Sequence, residues 1–321
     1  MTLRIVCHPD YDAEFPANHR FPMRKYRALG DRLATLGLLS DRSRVTAEPA
    51  PHRALMRAHD GAYVDQVLEC RVPERIEREI GFPVSERVAR RARLATGGTM
   101  LAARLALEHG IVCNAAGGSH HARRAQGAGF CTFNDVAVAA LDLLAERPSR
   151  RLLVVDLDVH QGDGTAEILA REERVFTFSL HAEKNYPVRK QSSSLDIGLP
   201  DGVGDDAYLQ VLCETLQRLG TGYDLVFYNA GVDPHRDDRL GRLALSDDGL
   251  KAREHMVISH FVSAGVPVCG VIGGGYSNDV EALAALTGTH VDLEQHWRDV
   301  LLHHFHDILP GSTIERVARE A

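Results

Sequence analysis

The stretch Arg151-Leu152-Leu153-Val154-Val155-Asp156-Leu157-Asp158-Val159-His160-Gln161-Gly162-Asp163-Gly164 decides how this chain is read. Its first half is a near-continuous run of leucine and valine, the pattern of a strand buried on both faces of a parallel sheet. Its second half gives way to carboxylates, an imidazole and glycines. We read a strand over Arg151–Asp158 and a functional turn beyond it. Asp158 and His160 stand two apart, so on an extended chain their side chains leave on the same face. Such a pair can bind one divalent ion if a third ligand comes from elsewhere. Alone it is a weak signal, and strand-end hydrogen bonding is the simpler reading.

The pattern repeats on either side. Strand-like runs occupy Ile111–Asn114, Val175–Leu180, Asp224–Asn229 and Pro267–Ile272, with helix-like segments at Val84–His109, Asp135–Glu146, Asp206–Leu219 and Ser246–Ala264. Ser246 is placed to cap the last helix, with Asp247 and Asp248 at its positive end. Alternation of this kind predicts an α/β fold whose central parallel sheet is flanked by helices on both faces. The strands run into Gly117-Gly118-Ser119-His120-His121, the Asp156–Gly164 turn, Ser179-Leu180-His181, Gly231-Val232-Asp233 and Gly273-Gly274-Gly275-Tyr276. Ligands of open parallel sheets bind beyond the carboxyl ends of the strands, so these ends predict one shared crevice.

Within it, Asp233 is the natural third ligand for Asp158 and His160. Two carboxylates and one imidazole leave a zinc position open for water and substrate. His120 and His121 can divide general acid and base work, each oriented by a carboxylate, with Asp156 and Asp163 placed to do so or to serve a second cation. Tyr276 can donate its phenol hydrogen to an oxyanion. No Gly-Lys-Ser/Thr follows the glycines, so a phosphate-binding turn is not expected, and no Gly-x-Ser-x-Gly marks a serine nucleophile.

Bulk composition agrees. The chain has 321 residues, 44% hydrophobic and 25% charged, enough to bury a core without disulfide or metal staples. A net charge of −7 argues against nucleic acid as a partner. The mixed-sign clusters Arg71–Glu79 and Arg87–Arg93 read as solvated helix faces. Six cysteines at 7, 70, 113, 131, 213 and 269 form no CxxC pair and no disulfide framework. No secretory leader or membrane span is visible, so a cytoplasmic protein without a membrane partner is expected. No linker or repeat divides residues 1–321, which read as one domain.

Taken in order, Gly117–Ala122, Gly127–Asp135, Asp156–Thr165, Ala230–Asp233 and Gly273–Tyr276 resemble the zinc-dependent histone deacetylase family and its bacterial amidohydrolase relatives. His19–Tyr26 and Ser179–Pro187 resemble its class IV branch. The resemblance implies a single-domain arginase/deacetylase-type fold and zinc, with ferrous iron as the alternative, on Asp158, His160 and Asp233. It implies the pair His120 and His121 with partners Asp156 and Asp163, and Tyr276 as the group that polarises the carbonyl. A structural potassium would use Asp156, Ser179 and main-chain oxygens of Asp158, His160 and Leu180. The acyl-lysine tunnel would be lined by Gly129, Phe130, Tyr186, Leu240 and Gly274.

Gln161 departs from the second histidine common in the family and is expected to alter packing, not ligation. The rim carboxylate that holds substrate backbone in relatives has one candidate here, Asp60. The implied reaction is amide hydrolysis on an acylated amine, most simply acyl-lysine of a protein or peptide, acetyl or longer. An acetylated polyamine or other small amide is the alternative, and a non-catalytic acyl-lysine binder a remote one. Polyamine enzymes place a carboxylate at the tunnel mouth, where this chain has Leu240, seven residues beyond Asp233. An apolar residue there favours acyl-lysine over a second ammonium. The additional Asp and His ligands of the two-metal arginase branch are not evident. The sequence does not define the oligomeric state.

Overall fold

The computed structural model describes residues 3–16 and 18–289. Eight strands form one sheet: β1 (Arg4–Cys7), β2 (Arg44–Thr46), β3 (Ile111–Asn114), β4 (Leu152–Asp156), β5 (Val175–Ala182), β6 (Leu195–Leu199), β7 (Leu225–Asn229) and β8 (Val268–Val271). They lie in the order β2-β1-β3-β8-β7-β4-β5-β6, and every pairing is parallel. Among the described residues ten α-helices accompany them: α1 (Lys25–Thr35), α2 (His52–Ala58), α3 (Gly61–Leu68), α4 (Glu74–Ile80), α5 (Glu86–His109), α6 (Asp135–Glu146), α7 (Asp163–Leu169), α8 (Asp205–Leu219), α9 (Asp247–Val262) and α10 (Val280–Thr289). No helix among the described residues is long and apolar enough to cross a membrane.

The alternation of strand side chains sorts the core into two layers. On β4, Leu152 and Val154 pack with Ala102, Val136 and Leu143 of α5 and α6, while Leu153 and Val155 pack with Tyr208, Leu212 and Phe261 of α8 and α9. On β7, Leu225 and Phe227 face the first layer and Val226 and Tyr228 the second. This is why the sequence there is apolar at every position. Truncating a fully buried side chain such as Phe227 to alanine would cost ~3–5 kcal/mol. The expected architecture is the one found.

Helix starts follow capping chemistry. Ser85 accepts the Val88 N–H and starts α5, Asn134 accepts that of Ala137 and starts α6, and Ser246 accepts that of Gly249 and starts α9. Several expected bounds shift: α5 starts at Glu86, not Val84, and α9 ends at Val262, not Ala264. β4 stops at Asp156, not Asp158, and β5 continues to Ala182. Three strands went unread: β1 and β2 are four and three residues long, and β6 alternates with polar residues at the sheet edge. Residues 290–321, included in the expected single domain, lie outside the described residues.

Candidate active site

Asp158 and His160 stand beyond β4, so an extended chain is not what aligns them. Asp158 Oδ1 accepts the His160 main-chain N–H at 3.0 Å and closes a small turn. That turn brings His160 Nδ1 to 3.0 Å from Asp158 Oδ1 and 3.1 Å from Asp233 Oδ2. Asp233, past the end of β7, is fixed by the Val159 N–H donating to its Oδ1 at 2.9 Å. One ligand atom from each residue lies within 4.8 Å of the others, and all three residues are buried.

The residues fit a divalent cation. Burial and the adjacent Asp158 carboxylate push the Asp233 pKa up to about 7, a repulsion that a cation relieves. Two oxygens and one nitrogen form a donor set suited to a borderline ion such as zinc, with coordination room to spare. Gly274 makes space for the group. Its N–H donates to Asp158 Oδ2 at 2.7 Å, and a Cβ there would collide with carboxylate oxygens of Asp233 and Asp158. No other such cluster occurs among the described residues.

His120 and His121 sit on the turn after β3. Asp135 holds that turn by accepting the Gly118 and Ser119 N–H groups at 3.1 and 2.7 Å. His120 Nδ1 donates to Asp156 Oδ2 at 2.7 Å and His121 Nδ1 to Asp163 Oδ1 at 2.6 Å. Burial works against charge on His120, but the Asp156 and Asp158 carboxylates outweigh it and raise its pKa to about 9. Burial and the neighbouring His120 lower His121 to about 4. One ring therefore carries charge and the other an available lone pair.

The Gly273–Tyr276 segment is tied down at nearly every main-chain group. Lys25, buried on α1, donates from Nζ to Gly273 O at 3.0 Å and Gly275 O at 3.4 Å. Gly274 O accepts the Val232 N–H at 3.0 Å. The Tyr276 ring lies 6.0 Å from His160 between centroids. Burial, with the charges of Asp158 and Asp233, raises its phenol pKa well above the usual value, so it stays a hydrogen donor.

Phe130 and Tyr186 approach the same centre. Tyr186 meets His121 edge-on at 4.7 Å, and Phe130 lies 5.8 Å from Tyr276. Gly129 and Phe130 both have positive φ, 52° and 66°. For phenylalanine this is strained backbone, held by the Gly129 and Phe130 N–H groups donating to Glu79 O and Ile80 O at 2.9 and 2.7 Å. Leu240, half-buried, adjoins the Tyr186 loop. Asn185 Nδ2 donates to Leu240 O at 2.9 Å, and Asn185 Oδ1 accepts the Tyr186 N–H at 2.8 Å. Asp60 stands at the N-cap position of α3 with no side-chain capping bond, its N–H bonded to Arg124 O at 2.9 Å. The exposed carboxylate whose charge reaches Tyr186 is Glu79.

Asp156 and Ser179 are register partners on β4 and β5, with Leu180 next in line. Gln161 is buried and braces the segment ahead of β6. Its Nε2 donates to Gln191 O and Asp196 Oδ1, and its Oε1 accepts the Gln191 N–H.

Several contributors had no reading in the sequence. Asn229 donates to Asp156 Oδ1 at 2.9 Å, and Arg123 grips Asp163 Oδ2 at 3.0 and 2.7 Å. Arg253, fully buried on α9 and paired with Glu254, donates to Leu157 O and Gly231 O at 3.1 and 2.8 Å, just ahead of two of the triad residues. Arg123 was the most discoverable, being a cation two residues beyond the His pair. Arg253 sits mid-helix with nothing local to single it out.

A parallel sheet whose strand ends converge on a buried Asp–His–Asp group, beside a carboxylate-anchored histidine pair, has the residues to hold a divalent metal ion next to acid–base groups. Comparison with known proteins gives the family. The histone deacetylase domain model matches residues 19–292. An uncharacterized protein of Picosynechococcus sp. is 46% identical over 286 residues, covering 88% of this chain and 95% of that protein. Histone deacetylase 2 of Arabidopsis thaliana is 29% identical over 286 residues, 85% of this chain and 74% of that protein. The crystal structure of a histone deacetylase homolog from Aquifex aeolicus shares the fold with a TM-score of 0.74 at 23% identity, covering 94% of this chain and 84% of that one. The chain belongs to the histone deacetylase family, and with it to the deacetylase-type hydrolases.

Proposed function

We propose that this chain is a zinc-dependent deacylase acting on acyl-lysine of a protein or peptide. The observation that carries the reading is convergence on one point. The Asp158–His160–Asp233 group has His121 at 5.7 Å and Tyr276 at 6.0 Å from the His160 ring. Base, metal ligands and oxyanion donor thus face one reacting centre. Zinc on Asp158, His160 and Asp233, or ferrous iron with the same donors, supplies Lewis-acid polarisation of the acyl oxygen and acidifies the attacking water.

The protein groups do the rest. His121, neutral and anchored through Nδ1 on Asp163, takes a proton at Nε2 from water as its oxygen attacks the acyl carbon. His120, charged beside Asp156, stabilises the developing negative charge. Tyr276 donates to the oxyanion. His121 then returns the proton to the leaving amine as the C–N bond breaks, releasing carboxylate and free lysine. Phe130 and Tyr186 flank the alkyl chain, with Gly129, Leu240 and Gly274 completing the tunnel. A potassium ion beneath the site would use the Asp156 and Ser179 side chains and the main-chain oxygens of Asp158, His160 and Leu180.

Acyl-lysine is preferred to acetylated polyamine because Leu240 offers no charge to a second ammonium. The test is one panel of acetyl-, octanoyl- and myristoyl-lysine peptides beside acetylated polyamines, run on a single preparation of known metal content. Turnover of polyamines above all the peptides would reverse the assignment. Metal without any turnover would leave the acyl-lysine binder.

A further inference from the structure

Three glycines precede Tyr276, so its own segment offers no side chains to pack it in place. Consecutive residues of one loop take both of its main-chain polar groups. The Tyr276 N–H donates to Asp238 Oδ2 at 2.7 Å, and Arg239 Nε donates to Tyr276 O at 2.6 Å. Asp238 Oδ1 meanwhile accepts the Leu240 and Gly241 N–H groups at 2.8 and 3.0 Å, so one carboxylate closes its loop and holds the tyrosine. Arg239 also reaches Arg20 O with Nη2 at 3.1 Å. Phe21, which follows Arg20, lies 6.3 Å from the Tyr276 ring and 5.2 Å from Phe130.

We infer that Asp238 and Arg239 are positioning residues that set the Tyr276 phenol against the metal-binding group, an inference that rests on Tyr276 being the oxyanion donor. The loop that holds Tyr276 starts from Asp233, so one short span of chain fixes both a candidate ligand and the donor opposite it. Arg239 lies at the exposed surface, yet its acceptor belongs to a tyrosine that is only 6% exposed. Its hydrogen bonds go to carbonyl oxygens, and no carboxylate forms an ion pair with it among the described residues. Oxyanion donors must be held to within about half an ångström, and a misplacement of about 1 Å costs on the order of 10²-fold in rate. A two-sided main-chain clamp meets that need where glycines cannot.

The test combines Arg239→Met and Arg239→Lys with Tyr276→Phe in a double-mutant cycle. Arg239→Met is expected to lower kcat about tenfold or more, with KM, bound metal and melting temperature little changed, and Arg239→Lys to restore part of the loss. In the Tyr276→Phe background the same substitution should change the residual kcat less than about twofold, because the phenol it positions is gone. Hydrogen exchange gives a readout that does not need turnover. The Tyr276 amide should exchange faster in Arg239→Met by on the order of tenfold, and this measurement decides if the residual rate is too low to read. An equal kcat loss in both backgrounds, a loss of bound metal, or an unchanged kcat or Tyr276 amide exchange in Arg239→Met would each overturn the positioning role. Full activity in Tyr276→Phe alone would instead overturn the reading of Tyr276.

Discussion

The Nε2 atoms of His120 and His121 lie 3.1 Å apart, each ring anchored at Nδ1 on its own buried carboxylate. With His120 raised to about 9 and His121 lowered to about 4, His120 is the charged ring and His121 the neutral one, and water reaches the His121 Nε2 lone pair by displacing the His120 contact. The two rings are therefore unequal.

His121→Ala should lose on the order of 10²–10⁴-fold in kcat, the scale of a positioned general base, and His120→Ala measurably less. Both variants should keep their metal. Rates measured at matched metal content check this, and a larger loss for His120→Ala would reverse the roles.

Replacing His160 or Asp233 by alanine should remove metal and activity together, because two remaining ligands rarely retain zinc. The fold should survive, since the core packs against the two sheet faces and not around the site. Elemental analysis with circular dichroism reads both outcomes. Stoichiometric zinc with normal turnover in either variant would contradict the ligand assignment.

Tyr276→Phe should bind metal normally and lose roughly 2.7–4 kcal/mol of transition-state stabilisation, as for one oxyanion donor. The loss should appear in kcat with KM little changed. Unchanged kcat would mean that the phenol does not face the reacting carbon.

What the sequence disclosed follows from where chemistry and pattern coincide. The central strands are buried on both faces, so their apolar runs stand out, and their ends carry residue types that strands otherwise avoid. Asp158, His160, His120 and His121 were legible for that reason. What aligns Asp158 and His160 is an Asp-closed turn beyond β4 and not the strand itself. β2 and β6 are exposed edges with mixed residues and give no such pattern. Asp238 and Arg239 act through main-chain groups of a distant loop, and no spacing rule records a contact made to a backbone carbonyl 37 residues away.

His59 gives a pH test away from the candidate metal group. It is buried between Arg123 O, 2.9 Å from Nδ1, and the Asn134 N–H, 2.9 Å from Nε2, which suits the neutral ring. Burial lowers its pKa to about 4, against 6.5 for the free side chain. Below about pH 6.5 the unfolded chain takes up a proton there that the folded chain refuses, so stability falls by up to about 1.4 kcal/mol per pH unit until about pH 4. His59→Gln keeps a donor and an acceptor but does not titrate. Urea unfolding should show the stability of wild type relative to His59→Gln shrinking as pH drops from 7 to 4. A constant difference would mean that His59 is not the neutral, buried group described.

Leu240→Glu should raise activity on acetylated polyamines relative to acyl-lysine. The Leu240 carbonyl is bonded to Asn185, whose side chain holds the Tyr186 main chain, so residue 240 adjoins the wall of the proposed tunnel. A carboxylate there attracts the distal ammonium of a polyamine and finds no such partner on a neutral acyl-lysine peptide. Partial exposure limits the gain to ~1 kcal/mol, a several-fold change in selectivity and not a full switch. Arg239, the adjacent residue, is held on the Tyr276 and Arg20 carbonyls, and its charge, which no carboxylate balances among the described residues, reduces the gain. The same charge should repel acidic peptide flanks, which tests the argument from its other side. Both effects must weaken as salt rises, because they act between partly solvated charges. The measurement is kcat/KM for both substrate types at low and moderate salt. A selectivity ratio that does not move, or that moves without salt dependence, would remove Leu240 from the entrance and with it the main support for acyl-lysine as the substrate.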